Sequence, residues 1–213
     1  MKNGTFIAFE GLDGCGKSTQ ISLLGAQLSK MGVRYLSTKE PSDSPLGLLA
    51  RKTLLGKERL EPETLALLFA ADRREHMAKE VLPALEQGLI VLCDRFVYSN
   101  MAFQGTQMPV ADIAAYNNVV LKGRLPDITV FIDTSPEECT RRIYETRSNI
   151  EIYDGIGYAE KIRRNYLSLF DVYKDIMPVK TICGSGELDE VFFEIMQLME
   201  GEAYVRAVGT GYN

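Results

Sequence analysis

Phe6-Ile7-Ala8-Phe9-Glu10-Gly11-Leu12-Asp13-Gly14-Cys15-Gly16-Lys17-Ser18-Thr19 decides how the rest of the chain is read. Four apolar residues run into Glu10-Gly11, the pattern of a buried strand. Beyond the glycines, Ser18 to Met31 sets Ile21, Leu24, Leu28 and Met31 at helical spacing, and Gly32 ends the run. Between strand and helix, every fixed position of G-x-x-x-x-G-K-[ST] is met. In that setting the pattern means phosphate binding. Gly11, Gly14 and Gly16 let the backbone curl so that successive N–H groups point inward at phosphate oxygens. The helix from Lys17 adds its positive end. The spacing predicts Lys17 at the β/γ phosphates and the Ser18 hydroxyl on Mg²⁺.

Outward from this stretch, apolar runs and helical periods alternate. Strands are expected at 33–37, 89–93, 128–132 and 179–183. Helices are expected at 46–55, at 62–87 with Pro83 as a kink or break, at 109–121, from Pro136 toward Glu145, through about Lys174, and at 187–200. Ser135 and Glu138 frame a capping box with Pro136 at the first helical position. The strands read as uniformly apolar. That predicts an α/β fold with a five-stranded parallel sheet and helices on both faces. Ligands of such sheets bind beyond the carboxyl ends of the strands. Asp94, ending the run 89–93, is therefore expected near the metal.

The whole composition narrows the partners. The 213 residues suit a single domain, 1–213, and the formal net charge of −5 argues against a dedicated nucleic-acid surface. No apolar run approaches a membrane span, and the start of the chain lacks the pattern of a secretory signal. Cys15, Cys93, Cys139 and Cys183 are scattered, as small buried hydrophobes of a reducing cytoplasm would be. No internal repeat or linker-like tract is visible, and the tail 201–213 has no clear pattern.

A phosphate loop alone implies only nucleotide binding. The chain has no N-K-x-D for reading guanine and is short for a motor or transporter ATPase. Four segments make it specific. They are the phosphate loop itself; Leu68-Phe69-Ala70-Ala71-Asp72-Arg73; Asp94-Arg95-Phe96-Val97-Tyr98-Ser99-Asn100-Met101-Ala102-Phe103-Gln104-Gly105; and Asp133-Thr134-Ser135-Pro136-Glu137-Glu138 with Arg141, Arg142 and Arg147. In their order and spacing the chain resembles the thymidylate kinases, which are nucleoside monophosphate kinases, over about residues 4–200.

The resemblance implies a nucleoside monophosphate kinase fold with a short lid at about 141–158, ATP and dTMP as substrates, Mg²⁺, a cytoplasmic location and a homodimer. It implies ATP contacts along Gly11, Leu12, Asp13, Gly14, Cys15, Gly16, Lys17, Ser18 and Thr19. Asp13 would also lie near the acceptor sugar, Phe69 would stack on thymine and Arg73 would bond its edge. Arg95 would clamp the acceptor phosphate, with Arg51 approaching it. Ser99, Asn100 and Gln104 would face the base, and Phe103 would crowd the sugar 2′ position. Because Gly14 stands where some relatives carry a loop arginine, the lid must supply one, from Arg142 or Arg147. Taken alone, Phe69 reads equally as core, Arg73 as a surface partner of Asp72 or Glu75, and the lid arginines as a solvated helix face. Tyr153 and Tyr166 are open between acceptor, core and surface. His76 reads as structural.

The chain departs from the family pattern at Lys39 and at Ser42-Asp43, where relatives carry Arg and a Gly pair, and at Cys183, where many carry Asp. A deoxynucleoside kinase, another pyrimidine monophosphate kinase and an inactive nucleotide-binding regulator remain the alternatives.

Overall fold

The opening stretch forms the centre of the sheet. A computed structural model describes residues 4–146 and 151–201. In it β1 (Thr5–Glu10) is the middle strand, in the order β2-β3-β1-β4-β5, with β2 at Tyr35–Lys39, β3 at Ile90–Asp94, β4 at Ile128–Asp133 and β5 at Val179–Cys183. Every pairing is parallel, and Phe9 lies opposite Asp94 on one side and Val130 on the other. Phe6, Phe9, Val91, Leu92, Val130 and Ile132 are fully buried. They have strands on both sides and helices above and below, which is why these runs are apolar without alternation. The edge strands differ. Ser37, Thr38 and Lys39 lie in β2, shifted two residues beyond the expected span, and β5 is largely exposed. An edge strand has one neighbour and tolerates such polar positions.

The helices are α1 (Lys17–Lys30), α2 (Pro45–Leu54), α3 (Pro62–His76), α4 (Leu82–Glu86), α5 (Val97–Gln104), α6 (Val110–Leu121), α7 (Pro136–Thr146), α8 (Ile156–Tyr173) and α9 (Leu188–Gly201). The crossover from β1 to β2 runs one way along the sheet, and those from β2 through β5 run the other. Right-handed crossovers then place their helices on opposite faces. The packing agrees: α1 meets α9, while α3, α5, α6 and α8 pack on one another. The reversal lies at β1, so the loops leaving β1 and β3 open into one crevice.

Two local departures have plain causes. The expected helix 62–87 is interrupted by a π turn at Met77–Val81, where the Leu82 N–H reaches the Met77 carbonyl. Pro83 supplies no N–H and its ring displaces the carbonyl four residues back, and the wider turn absorbs both effects. Ser135 does cap the Glu138 N–H at 3.2 Å, but the Glu138 carboxylate turns to Arg141 and Arg142. The capping box is half formed.

Leu92 is fully buried in β3, between β2 and β1. Leu92→Ala should cost about 2–5 kcal/mol, read from the shift in a urea-unfolding midpoint at unchanged slope.

Candidate active site

The crevice is a cleft of about 990 Å³ beyond the carboxyl ends of the strands. At its floor the phosphate loop leaves β1. Gly14 has φ +80°, and a Cβ there would stand 2.5 Å from the Cys139 carbonyl of α7. Only glycine meets both demands. Gly16 precedes α1 without a side-chain cap, so the first amides of that helix stay available to an anion. Lys17 bends back over the loop, and its Nζ donates to the Leu12 carbonyl at 2.7 Å and the Gly11 carbonyl at 3.2 Å. The Ser18 hydroxyl donates to Asp94 Oδ2 at 2.5 Å. A hydroxyl and a carboxylate side by side at a phosphate loop are hard oxygen donors, the kind Mg²⁺ takes.

Next to the loop stands a cluster organised by Glu10. Its carboxylate is fully buried and accepts from the Phe96 and Ser99 N–H groups, from the Ser99 hydroxyl and from Tyr166 Oη. Burial pushes the Glu10 carboxyl above its ordinary value, and the bonds from Ser99 and Tyr166 with the nearby Arg95 charge only partly offset this. Arg95 has φ +74°, unusual for a residue with a side chain. Its N–H is tied to the Phe9 carbonyl at 2.8 Å. Its guanidinium donates to Asp13 at 2.7 Å, the Gly11 carbonyl at 3.0 Å and the Ser99 hydroxyl at 2.9 Å, and lies 4.7 Å over the Phe103 ring. A strained backbone therefore fixes one cation between two loops.

The far wall is built on Arg73, which is buried instead of joining Asp72 or Glu75 at the surface. Its Nε donates to Glu40 Oε2 at 2.8 Å and its Nη2 to the Phe96 carbonyl at 3.1 Å, with Glu40 Oε2 2.6 Å away; its Nη1 donates to Asn100 and Asn117. Asp72 instead accepts from the Ser42 N–H, the Ser42 hydroxyl and the Ser44 hydroxyl, while Arg51 holds the Pro41 and Ser42 carbonyls. Ser42, at one of the positions where the chain departs from the family pattern, thus binds this loop to α3 together with Ser44.

Of the expected residues, Asp13 through Thr19, Arg51, Phe69, Arg73, Asp94, Arg95, Ser99, Asn100, Phe103, Gln104 and Arg142 line the cleft. Gly11 and Leu12 lie beneath it and serve through their carbonyls. Arg142 is held by Glu138 at 2.7 Å, and the hydrogen bonds from Arg141 and Arg142 pull that carboxyl down to about 2. Arg147 lies outside the described residues. Tyr153 lines the cleft edge-on to Phe103, and Tyr166 is buried against Arg95. Glu10, Glu40 and Asn117 are not among the expected residues. Asn117 did carry a signal, because it stands between Ile113 and Leu121 on the buried stripe of α6. A buried amide has to be answered by partners.

A family model described as thymidylate kinase matches residues 9–194. The chain belongs to the thymidylate kinase family. A thymidylate kinase of Clostridium novyi is 33% identical over 202 residues, covering 92% of this chain and 98% of that protein. A probable thymidylate kinase of Pyrococcus abyssi is 35% identical, covering 93% and 97%. That of Enterococcus faecalis is 38% identical, covering 78% and 82%.

Within this thymidylate kinase family site, His76 is buried against Glu40 and Thr38. Its Nδ1 faces Glu40 Oε1 at 3.1 Å, and its Nε2 lies 2.7 Å from Thr38 Oγ1, which itself donates to Glu80. Burial disfavours the imidazolium, but Glu40, with Glu80 and Asp72, raises its affinity for a proton above the ordinary 6.5. A raised basic group stabilises fully below its unfolded value and loses that contribution as pH rises through the folded one. Wild-type stability should therefore decline as pH climbs above 6.5. His76→Gln should flatten that decline in urea midpoints measured across the range.

Proposed function

We propose that the protein transfers the γ-phosphoryl group of ATP to the 5′-phosphate of dTMP, giving dTDP and ADP. The observation that carries this is Arg95. It is a cation in a strained backbone, pinned by Asp13 and Ser99, and it faces the same cleft as the phosphate loop. A second fixed cation beside a donor-phosphate loop suits an acceptor that already bears a phosphate.

In this reading Lys17 and the first amides of α1 hold the donor phosphates, and Arg95 holds the acceptor phosphate in line with them. Arg51 stays close enough to add charge. Catalysis is then positioning plus charge stabilisation, with no covalent intermediate. Mg²⁺, held by Ser18 and Asp94, would neutralise phosphate charge when bound. Phe69 stacks on the base; Arg73, Asn100, Gln104 and Ser99 form its polar wall; Phe103 closes on the sugar. Arg142 leaves Glu138 as the lid closes and meets the transferring group, with Arg147 the other candidate. We further propose one catalytic domain, working as a homodimer in the cytoplasm. Leu67 on α3 and Val119 on α6 offer exposed apolar surface for a second copy.

ATP consumption measured against dTMP, dUMP, UMP, CMP and thymidine tests the reading. Turnover should be best with dTMP. Thymidine as the sole good acceptor would overturn the monophosphate assignment. Arg95→Ala should lower kcat/KM for dTMP by at least about a hundredfold, the order expected when a hydrogen-bonded charge contact of 3 kcal/mol or so is lost. An unchanged profile would remove Arg95 from the site.

A further inference from the structure

Asn117 lies outside the motifs and does not line the cleft, yet it begins the hydrogen-bond chain behind the acceptor wall. Its orientation has a single solution. Arg73 can only donate, so Asn117 must turn its Oδ1 to Arg73 Nη1. The Ile113 carbonyl can only accept, so Nδ2 donates to it at 2.8 Å. The remaining Nδ2 hydrogen goes to Asn100 Oδ1 at 2.9 Å. That oxygen also accepts from Arg73 at 3.3 Å, which fills both of its lone pairs.

Each amide then fixes the next. Asn100 Nδ2 donates to Gln104 Oε1 at 2.9 Å, and Gln104 Nε2 donates to Tyr153 Oη at 3.3 Å. What remains on the two cleft-lining amides is one N–H on Asn100, one N–H on Gln104 and one lone pair on Gln104 Oε1. Gln104 Oε1 stands between the two donors, bonded to Asn100 Nδ2 on one side and sharing its amide with Nε2 on the other. The wall therefore reads donor, acceptor, donor, the complement of a base edge that reads carbonyl, ring N–H, carbonyl, as in thymine or uracil. Cytosine also offers two acceptors and one donor, but in the order carbonyl, bare ring nitrogen, amino group, so its ring nitrogen meets the acceptor and its amino group meets a donor.

We propose that Asn117 is a positioning residue that sets the polarity of the acceptor wall and so selects a 4-keto pyrimidine over a 4-amino one. This rests on the reading that Asn100 and Gln104 face the acceptor base. Asn117→Asp tests it, because the side chain keeps its shape and its bond from Arg73 but has no N–H for Asn100 or for the Ile113 carbonyl. Asn100 then turns its Nδ2 to the new carboxylate, and Gln104 turns in response. The wall loses donors and gains acceptors.

The experiment compares kcat/KM for dTMP and dCMP in the wild type, Asn117→Asp and Asn117→Ser, with thermal melting to identify which variants fold. In Asn117→Asp the dTMP:dCMP ratio should fall on the order of ten- to a hundredfold, with the KM for ATP unmoved. Asn117→Ser, which removes the reference without reversing it, should lower the ratio less. A merely structural residue would lower both substrates together and leave the ratio in place. A folded variant with the wild-type ratio overturns the inference while leaving the kinase reading intact. A wild type with no preference for dTMP over dCMP overturns the reading beneath it.

Discussion

A carboxylate with no local partner governs this site. Glu10 ends the central strand, and its burial is costly unless hydrogen bonds answer it. The answer comes from the start of α5, where the Phe96 and Ser99 N–H groups would otherwise stand uncapped. One contact therefore satisfies an acid and a helix terminus together. It also places the cleft, because α5 carries Ser99, Asn100, Phe103 and Gln104, and Ser99 passes the constraint to Arg95.

The same contact explains what could be read in the chain and what could not. The phosphate loop and the apolar strands β1, β3 and β4 are written in consecutive residues, so spacing alone exposes them. The start of α5 has no capping residue of its own. Its cap arrives from β1, 86 and 89 positions away. No local pattern announces such a helix, although the motif lying on it was plain. Arg73 is similar. Its neighbours in sequence, Asp72 and Glu75, suggest a surface pair, while its partners come from the residue after β2, from α5 and from α6. Chain-distant partners are invisible to periodicity. Edge strands fail for the opposite reason, since one exposed side relaxes the apolar rule.

The cations divide into two kinds. Arg73 donates four hydrogen bonds inside the protein and pairs with Glu40, and Arg95 is held by backbone, carboxylate and hydroxyl together. These are fixtures, whose fields stand ready before any anion arrives. Arg142 is instead about one-third exposed and tied to one carboxylate on its own helix. Such a pair is worth little and is easily exchanged. The overall charge of −5 hides this arrangement, because the positive groups face inward.

The close approach of Gly14 to the Cys139 carbonyl has a consequence for how this family can diversify. An arginine at position 14 would need both a left-handed backbone with a side chain and the retreat of α7. The helix that blocks the loop is the one that carries Arg142. Two designs, a cation rising from the floor and a cation descending from the roof, thus compete for the same few ångströms. In this chain, exchanging one for the other calls for a shift at the start of α7 as well as a substitution at position 14.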